Sequence, residues 1–267
     1  MIYFALILIN ILLIIVLHNI SFKIKLIDYP SERKLHSDPT PLIGGISIYL
    51  TMLIGSYLVE IDLNILLILN LALVVVFIGV LDDFLNVDFK IRFLCQFIVC
   101  IIIISKGIYI VDLSFISTSS NQYIIFFLIP FTILSVIGLT NAFNFIDGVD
   151  GLSSILFIKS IILLIFFIKY NNTSYDISFL YLVIISIVPF VLFNLGIFKG
   201  YKIFLGDSGS TFLGFLLSWL LIYYSQIEKN IIDPIIIIWI APIVVYDFFA
   251  VFIYRMMKRS SPFSPDN

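Results

Sequence analysis

Long apolar runs recur along the whole chain and constrain its fold more than any other feature. A helix needs about 20 apolar residues to cross the hydrocarbon core of a bilayer. The candidate spans are residues 3–20, 43–60, 64–80, 93–110, 122–140, 152–169, 178–196, 209–225 and 234–254. These runs lack the alternation of a β-barrel, and lipid does not tolerate unpaired backbone groups. The sequence therefore predicts an all-α, polytopic membrane bundle of about nine transmembrane helices.

The composition also favours the bilayer over water. Hydrophobic residues make up 61% of the chain and charged residues 12%, whereas soluble domains contain roughly 45–50% apolar residues. A net charge of -2 offers no basic face, so we expect no nucleic-acid partner. Since no internal repeat or soluble segment is visible, residues 1–267 are predicted to form a single membrane-embedded domain.

The positions of Lys and Arg predict which loops face the cytoplasm. Eleven of the 15 basic residues follow odd-numbered spans: Lys23, Lys25, Arg33, Lys34, Lys90, Arg92, Lys199, Lys202, Arg255, Lys258 and Arg259. The positive-inside rule makes these loops cytoplasmic. The N-terminus is then predicted outside and the C-terminus inside. Lys159 falls within a span and does not fit this pattern.

A pair of adjacent acids marks the end of the third span, in GVLDDFLNVDFKIR. Asp82 and Asp83 stand where the apolar sequence stops. Neighbouring carboxylates at a lipid boundary repel each other and resist desolvation, so they favour a compensating cation. Mg²⁺ suits this position because it binds a few carboxylates, several waters and substrate phosphates. The alternative is that both acids are solvated at a helix end.

The end of the fifth span, NAFNFIDGVDGL, carries a second polar group. Its members, spaced three apart, are Asn141, Asn144, Asp147 and Asp150. Helical residues three apart are neighbours on one face. The glycines that follow the two acids should end the helix and let a ligand approach the backbone. The alternative interpretation is a polar helix cap.

A third polar group precedes the eighth span, in KGYKIFLGDSGSTFLGF. Asp207 offers a metal-binding oxygen, and Gly206 and Ser208 flank it at a predicted helix start. The N–H groups of such a start bind anions. The alternative is that Ser208 or Ser210 simply caps the helix.

Basic residues in two other odd-numbered loops are candidates for phosphate binding. Lys34 and His36 lie in SERKLHSDPTPLIGG, and Arg259 lies in RMMKRSSPFSPDN. Each also serves as a topology signal, and the residues alone do not separate the two roles.

All three acidic groups are predicted at the same membrane face. This arrangement suits Mg²⁺-assisted phosphoryl transfer to a lipid-borne acceptor. A membrane transporter with a cytoplasm-facing acidic site is the alternative, because intramembrane acids and helix-breaking glycines also mark transport pathways. Transporter sites lie near the bilayer midplane and often recur in paired repeats, which these acids do not.

Four ordered motifs carry a family resemblance: LDDFLNVDFKIR, NAFNFIDGVDGL, KIFLGDSGST and SPFSPD. From about Glu32 to the last residue, the chain resembles the polyprenyl-phosphate N-acetylhexosamine-1-phosphate transferases of glycosyltransferase family 4 type. PLIGGIS and SPFSPD look more like the undecaprenyl-phosphate GlcNAc-1-phosphate transferases than the phospho-MurNAc-pentapeptide enzyme.

The resemblance implies a reaction at the bacterial plasma membrane, with the lipid bilayer as surroundings. A UDP-N-acetylhexosamine, with GlcNAc as the first expectation, gives its sugar-1-phosphate to undecaprenyl phosphate and releases UMP. This would be the first membrane step of an envelope glycan such as lipopolysaccharide or teichoic acid. A different UDP-amino sugar and a homo-oligomer stay open.

The resemblance also implies residue roles, with Mg²⁺, or Mn²⁺ in its place, as cofactor. The acids that match metal-binding residues are Asp82, Asp83 and Asp207. The catalytic candidates are Asp82, Asp83, Asp147 and Asp150, and which of them accepts a proton, if any, is left open. The substrate-binding candidates are Asn141, Asn144, Lys34, His36, Gly206, Ser208 and Arg259.

The C-terminal end departs from the family pattern. That pattern continues after SPFSPD with a basic residue, a His-x-His-His stretch associated with substrate phosphate, and further spans. This sequence stops at Asn267. We therefore expect the 267-residue form to lack the family's C-terminal part and to be weak or inactive.

Overall fold

The helices of the chain follow the predicted apolar runs closely. The computed structural model describes residues 2–30, 38–114, 122–171, 175–227 and 231–258. The helices in this part are α1 (Ile2–Ile24), α2 (Gly44–Ser56), α3 (Leu63–Leu85), α4 (Phe89–Ser105), α5 (Ile125–Ile146), α6 (Leu152–Tyr170), α7 (Ser178–Asn194), α8 (Gly206–Ile222), α9 (Pro234–Ile240) and α10 (Pro242–Met257). The all-α prediction is confirmed.

Three short elements complete the described fold. A 3₁₀ turn, Gln122–Ile124, precedes α5, and a π-helical turn, Tyr223–Ile227, continues α8. Two-residue strands β1 (Ile27–Asp28) and β2 (Thr40–Pro41) pair antiparallel, with Ile27 opposite Pro41. These strands bring the end of α1 next to the start of α2.

Only some of the helices are long and apolar enough to cross a membrane on their own. Within the described ranges these are α1, α3, α5 and α6, and the bent pair α9–α10 becomes a fifth if it counts as one span. The two halves of that pair meet at 73°. Helices α2 and α7 are apolar but have only 13 and 17 residues. The chain is thus a multi-pass helical membrane protein, and the number of nine spans stays a prediction.

Helix α8 forms the centre of the bundle. All of its residues from Ser208 to Ile222 are buried, and α2, α3, α5 and α6 pack around it. Three of its hydroxyl groups, those of Ser210, Thr211 and Ser218, bond within the helix; Ser218 Oγ, for example, donates to Gly214 O at 2.7 Å. Such hydrogen bonding lets a helix with polar residues remain surrounded by protein inside a membrane.

Two glycines let neighbouring helices touch the start of α8. A Cβ atom on Gly79 of α3 would lie 2.6 Å from the backbone nitrogen of Ser208, and one on Gly45 of α2 would collide with Gly209. Small residues at helix crossings permit this close backbone approach. The two crossings bring the end of α3 and the start of α2 to the polar beginning of α8.

A buried amide fastens the first helix to the bundle. The Nδ2 atom of Asn10 donates to Thr51 Oγ1 at 2.7 Å, to Ser186 O at 3.1 Å and to Ser47 O at 3.3 Å. These partners belong to α2 and α7. In an apolar setting, the hydrogen bonds hold α1, α2 and α7 together.

Candidate active site

An open cleft of about 680 Å³ lies where α3 and α5 end and α8 begins. Six acids of the described part of the chain line it: Asp28, Asp82, Asp83, Asp147, Asp150 and Asp207. Five of them come from the three acidic motifs, which are far apart in sequence. The structure therefore gathers the motif acids at one end of the bundle.

One wall of the cleft is built by backbone pairing between the segments that precede α2 and α8. Phe204 donates its N–H to Pro41 O at 2.8 Å, and its carbonyl accepts from Gly44 N at 2.9 Å. A further bond joins Gly45 N to Leu205 O at 3.0 Å. This pairing fixes the glycine-rich PLIGG segment against the loop that leads to Asp207.

Asp83 caps the N-terminus of α8 from another helix. Its Oδ1 accepts the N–H of Asp207 at 2.8 Å, and its Oδ2 accepts that of Ser208 at 3.3 Å. Gly206 permits the contact because its φ is 74° and a Cβ there would lie 2.7 Å from Asp83 Oδ2. The serine cap considered from sequence is replaced, since Ser210 Oγ donates to Gly206 O instead. A carboxylate at this position also favours the helix dipole.

Arg92 joins two of the acids. It forms an ion pair with the buried Asp82, and its Nη1 lies 3.6 Å from Asp207 Oδ2. The sequence predicts Arg92 only as a topology signal. The sequence does contain a signal for a role in the site. Arg92 lies in the first turns of α4, and since the connection from α3 to α4 is short, the chain brings Arg92 back to the acids at the end of α3.

Removal of the Arg92 charge is expected to destabilise the protein. The Arg92→Gln variant leaves Asp82 buried without its cation, which costs on the order of 1–3 kcal/mol where the partner is part-exposed. Thermal unfolding in detergent should show a lower midpoint. The double variant Arg92→Gln, Asp82→Asn should recover part of the loss. Equal midpoints for wild type and the single variant would show that the ion pair contributes nothing.

Asn144 links α5 to the acid at the start of α8. Its Nδ2 donates to Asp207 Oδ1 at 2.6 Å and to Ser210 Oγ at 3.0 Å. One turn later, burial raises the pKa of Asp147 well above its ordinary value, and the carboxylates of Asp207, Asp83 and Asp150 raise it further. The cleft thus concentrates negative charge that favours either protonation or a bound cation.

Asp150 and Lys202 form an ion pair across the rim of the cleft. Lys202 Nζ lies 2.6 Å from Asp150 Oδ2 and 5.3 Å from the ring centroid of Phe204. Both charged side chains are partly exposed. The pair connects the α5–α6 turn to the segment before α8.

Comparison with known proteins gives the family. A family model described as glycosyl transferase family 4 matches residues 65–225, which include all five motif acids. The chain belongs to glycosyl transferase family 4. It is 34% identical over 251 residues to the undecaprenyl-phosphate alpha-N-acetylglucosaminyl 1-phosphate transferase of Escherichia coli K12, covering 93% of this chain and 68% of that protein. The probable undecaprenyl-phosphate N-acetylglucosaminyl 1-phosphate transferase of Bacillus subtilis is 30% identical over 256 residues, covering 94% and 70%.

Only some of the predicted substrate-binding residues of this family member lie at the cleft. Asn144 and Gly206 line the cleft, and Ser208 is buried beside it. Asn141 instead joins α5 to α4, where its Nδ2 donates to Gln96 Oε1 at 3.1 Å. Lys34, His36 and Arg259 lie outside the described residues.

The glycosyl transferase family 4 cleft offers carboxylate oxygens, which are donors of the kind that Mg²⁺ accepts. Among the residues that the structure describes, no three His, Cys, Asp or Glu side chains form a ready metal-binding group. Arg92 occupies the space between Asp82 and Asp207, and Asp83 is engaged by backbone N–H groups. The Asp207 side chain, however, is 39% exposed. Mg²⁺ accepts such a site because waters and substrate phosphates complete its shell.

Proposed function

We propose that this protein transfers GlcNAc-1-phosphate from UDP-GlcNAc to undecaprenyl phosphate and releases UMP. One observation carries the proposal: the motif acids of a family whose members are named for this reaction meet in a single cleft at one end of the bundle. A cleft at a membrane boundary can receive a water-soluble nucleotide sugar and a lipid phosphate together. The product would begin an envelope glycan.

The reaction is a phosphoryl transfer between two anions. A phosphate oxygen of the lipid attacks the β-phosphorus of UDP-GlcNAc. The bond from that phosphorus to the oxygen bridging the two phosphates breaks, and the electron pair leaves with UMP. Catalysis of such transfers relies mainly on positioning and on neutralising charge. The residues of the cleft would hold both phosphates in line.

The excess of acids supports a role for a bound cation. Six carboxylates line the cleft against one lysine in its described wall, and polyanionic substrates would be repelled by this surface. We propose that Asp207 holds Mg²⁺, with Asn144 and Asp82 beside it. The ion would neutralise the diphosphate and stabilise the leaving UMP. Asp83 would act by holding the start of α8, and thus Asp207, in place.

We also propose that the cleft faces the cytoplasm. The basic loops after odd-numbered spans support this orientation through the positive-inside rule. It puts the N-terminus outside and exposes the cleft to the cytoplasmic supply of UDP-sugars. The surrounding membrane would be the bacterial plasma membrane.

Removal of Mg²⁺ tests the reaction and the cofactor together. Transfer of radiolabelled GlcNAc-1-phosphate to undecaprenyl phosphate is measured in detergent, with Mg²⁺, with Mn²⁺ and after EDTA. We expect product with Mg²⁺, less with Mn²⁺, and a fall of roughly 10²-fold or more with EDTA. Absence of product with every UDP-N-acetylhexosamine would contradict the proposal.

A further inference from the structure

Lys202 is the one basic residue among the described residues that line the cleft. Arg92 lies deeper, where it is held by two carboxylates. Lys202 has a different setting: its side chain is 38% exposed, and among the described residues it forms an ion pair with a single carboxylate, that of Asp150. Lys202 is therefore the cation of this wall that can reach an entering ligand with the smallest loss of existing ion pairs.

We propose that Lys202 binds a phosphate of the nucleotide sugar and that Asp150 holds it in place until the substrate enters. This inference rests on the proposed function. The sequence predicts Lys202 only as a topology signal, and the geometry gives it a second role: it stands on the cleft wall, on the segment that leads to Asp207.

The exchange of partners is chemically balanced. An ammonium group that leaves Asp150 for a phosphate oxygen trades one charge-assisted hydrogen bond for another. Asp150 lies at the rim and is itself 42% exposed, so water can solvate its carboxylate once the lysine has moved. Neither charge is left buried and unpaired, which is the costly outcome. The cation–π contact between Lys202 and the Phe204 ring holds the ammonium group close to the cleft, whether it pairs with Asp150 or with a phosphate.

The alternative is that the pair only fastens two loops together. A fastening role would affect every ligand of the cleft alike, because the shape of the whole rim would change. Phosphate binding would affect only ligands that carry a phosphate. UMP and uridine separate the two roles, since they differ by that group alone.

The experiment measures the binding of UMP and uridine to the full chain in detergent, with Mg²⁺ present. Calorimetry gives affinities for wild type, Lys202→Met and Lys202→Arg. Lys199→Met serves as the matched control, because Lys199 lies in the same connection but does not line the cleft. Radiolabelled transfer is followed separately, and gives KM for UDP-GlcNAc and kcat.

We expect Lys202→Met to weaken UMP binding roughly tenfold or more while uridine binding changes less than about twofold. The KM for UDP-GlcNAc should rise by a similar factor with a smaller change in kcat. Lys202→Arg should retain UMP affinity within about threefold, since the charge is kept.

Two results with the variants would overturn the inference. Equal UMP affinity in wild type and Lys202→Met would show that the lysine does not bind phosphate. Equal weakening of UMP binding and uridine binding in Lys202→Met would show that the Lys202–Asp150 pair only links the two loops. A wild type that binds UMP but transfers no sugar phosphate would count against the proposed reaction, whereas the effect of the Lys202 variants on UMP binding could still be interpreted. A wild type that binds neither nucleoside nor nucleotide would overturn both.

Discussion

The Asp207→Asn variant is expected to lose sugar-phosphate transfer by roughly 10²–10³-fold. Asp207 is partly exposed in the cleft and faces Asn144 and Arg92. An amide keeps the size of the side chain but removes the negative charge that attracts a divalent cation. The backbone N–H of residue 207 can still donate to Asp83, so the start of α8 should remain capped and the fold should persist.

Radiolabelled transfer at saturating Mg²⁺ measures the loss of activity, and thermal unfolding in detergent checks the fold. Asp88→Asn is the control, because Asp88 is an exposed N-cap of α4 whose Oδ1 accepts Lys90 N at 2.9 Å. Asparagine caps helices about as well as aspartate. Both variants should keep the wild-type unfolding midpoint, and the Asp88 variant should keep its activity. Full activity in the Asp207 variant would remove this residue from the proposed metal site.

The Gly79→Ala variant is expected to reduce both stability and activity. A Cβ at this position would lie 2.6 Å from the nitrogen of Ser208 and 2.9 Å from the carbonyl carbon of Asp207. Those atoms belong to backbone and cannot rotate away, so α3 must shift away from α8. Overpacking of this kind costs about 1–3 kcal/mol. Because Asp82 and Asp83 lie on α3, a shift of this helix by about 1 Å should lower sugar-phosphate transfer by roughly 10²-fold.

Gly138→Ala provides the matched control in α5. A Cβ at Gly138 meets nothing within 4 Å, and alanine favours helix over glycine. We expect an unchanged or slightly higher unfolding midpoint and wild-type activity. The comparison isolates the contact with α8 from the general effect of a helical Gly→Ala substitution. Similar behaviour of the two variants would show that the α3–α8 crossing tolerates a methyl group.

The fold class was predictable because transmembrane helices reveal themselves through apolar length. Run 152–169 became α6, Leu152–Tyr170. Two boundaries were harder. Run 64–80 extends to Leu85, because Asp82 and Asp83 find partners in Arg92 and in the N–H groups of α8 that local sequence does not show. Run 234–254 is broken before Pro242, a break that proline permits but does not require.

The composition of the site was predictable, whereas its pairings were not. The spacing of motif acids at span ends indicated which residues would meet. Asn141 turns towards Gln96, and the contacts of Arg92 with Asp207 and of Lys202 with Asp150 join segments far apart in sequence. These contacts depend on how helices cross, for example where Gly79 meets Ser208. Periodicity along one helix contains no information about the register of its neighbour.

The burial of α8 has a consequence for how the protein is made. A helix that begins GDSGST and shows no lipid-facing side from Ser208 to Ile222 gains little by partitioning into lipid alone. All four of its packing partners, α2, α3, α5 and α6, precede it along the chain and therefore leave the ribosome first. During biogenesis, α8 can enter a surface that these helices have already formed, and its insertion and the assembly of the cleft become one event.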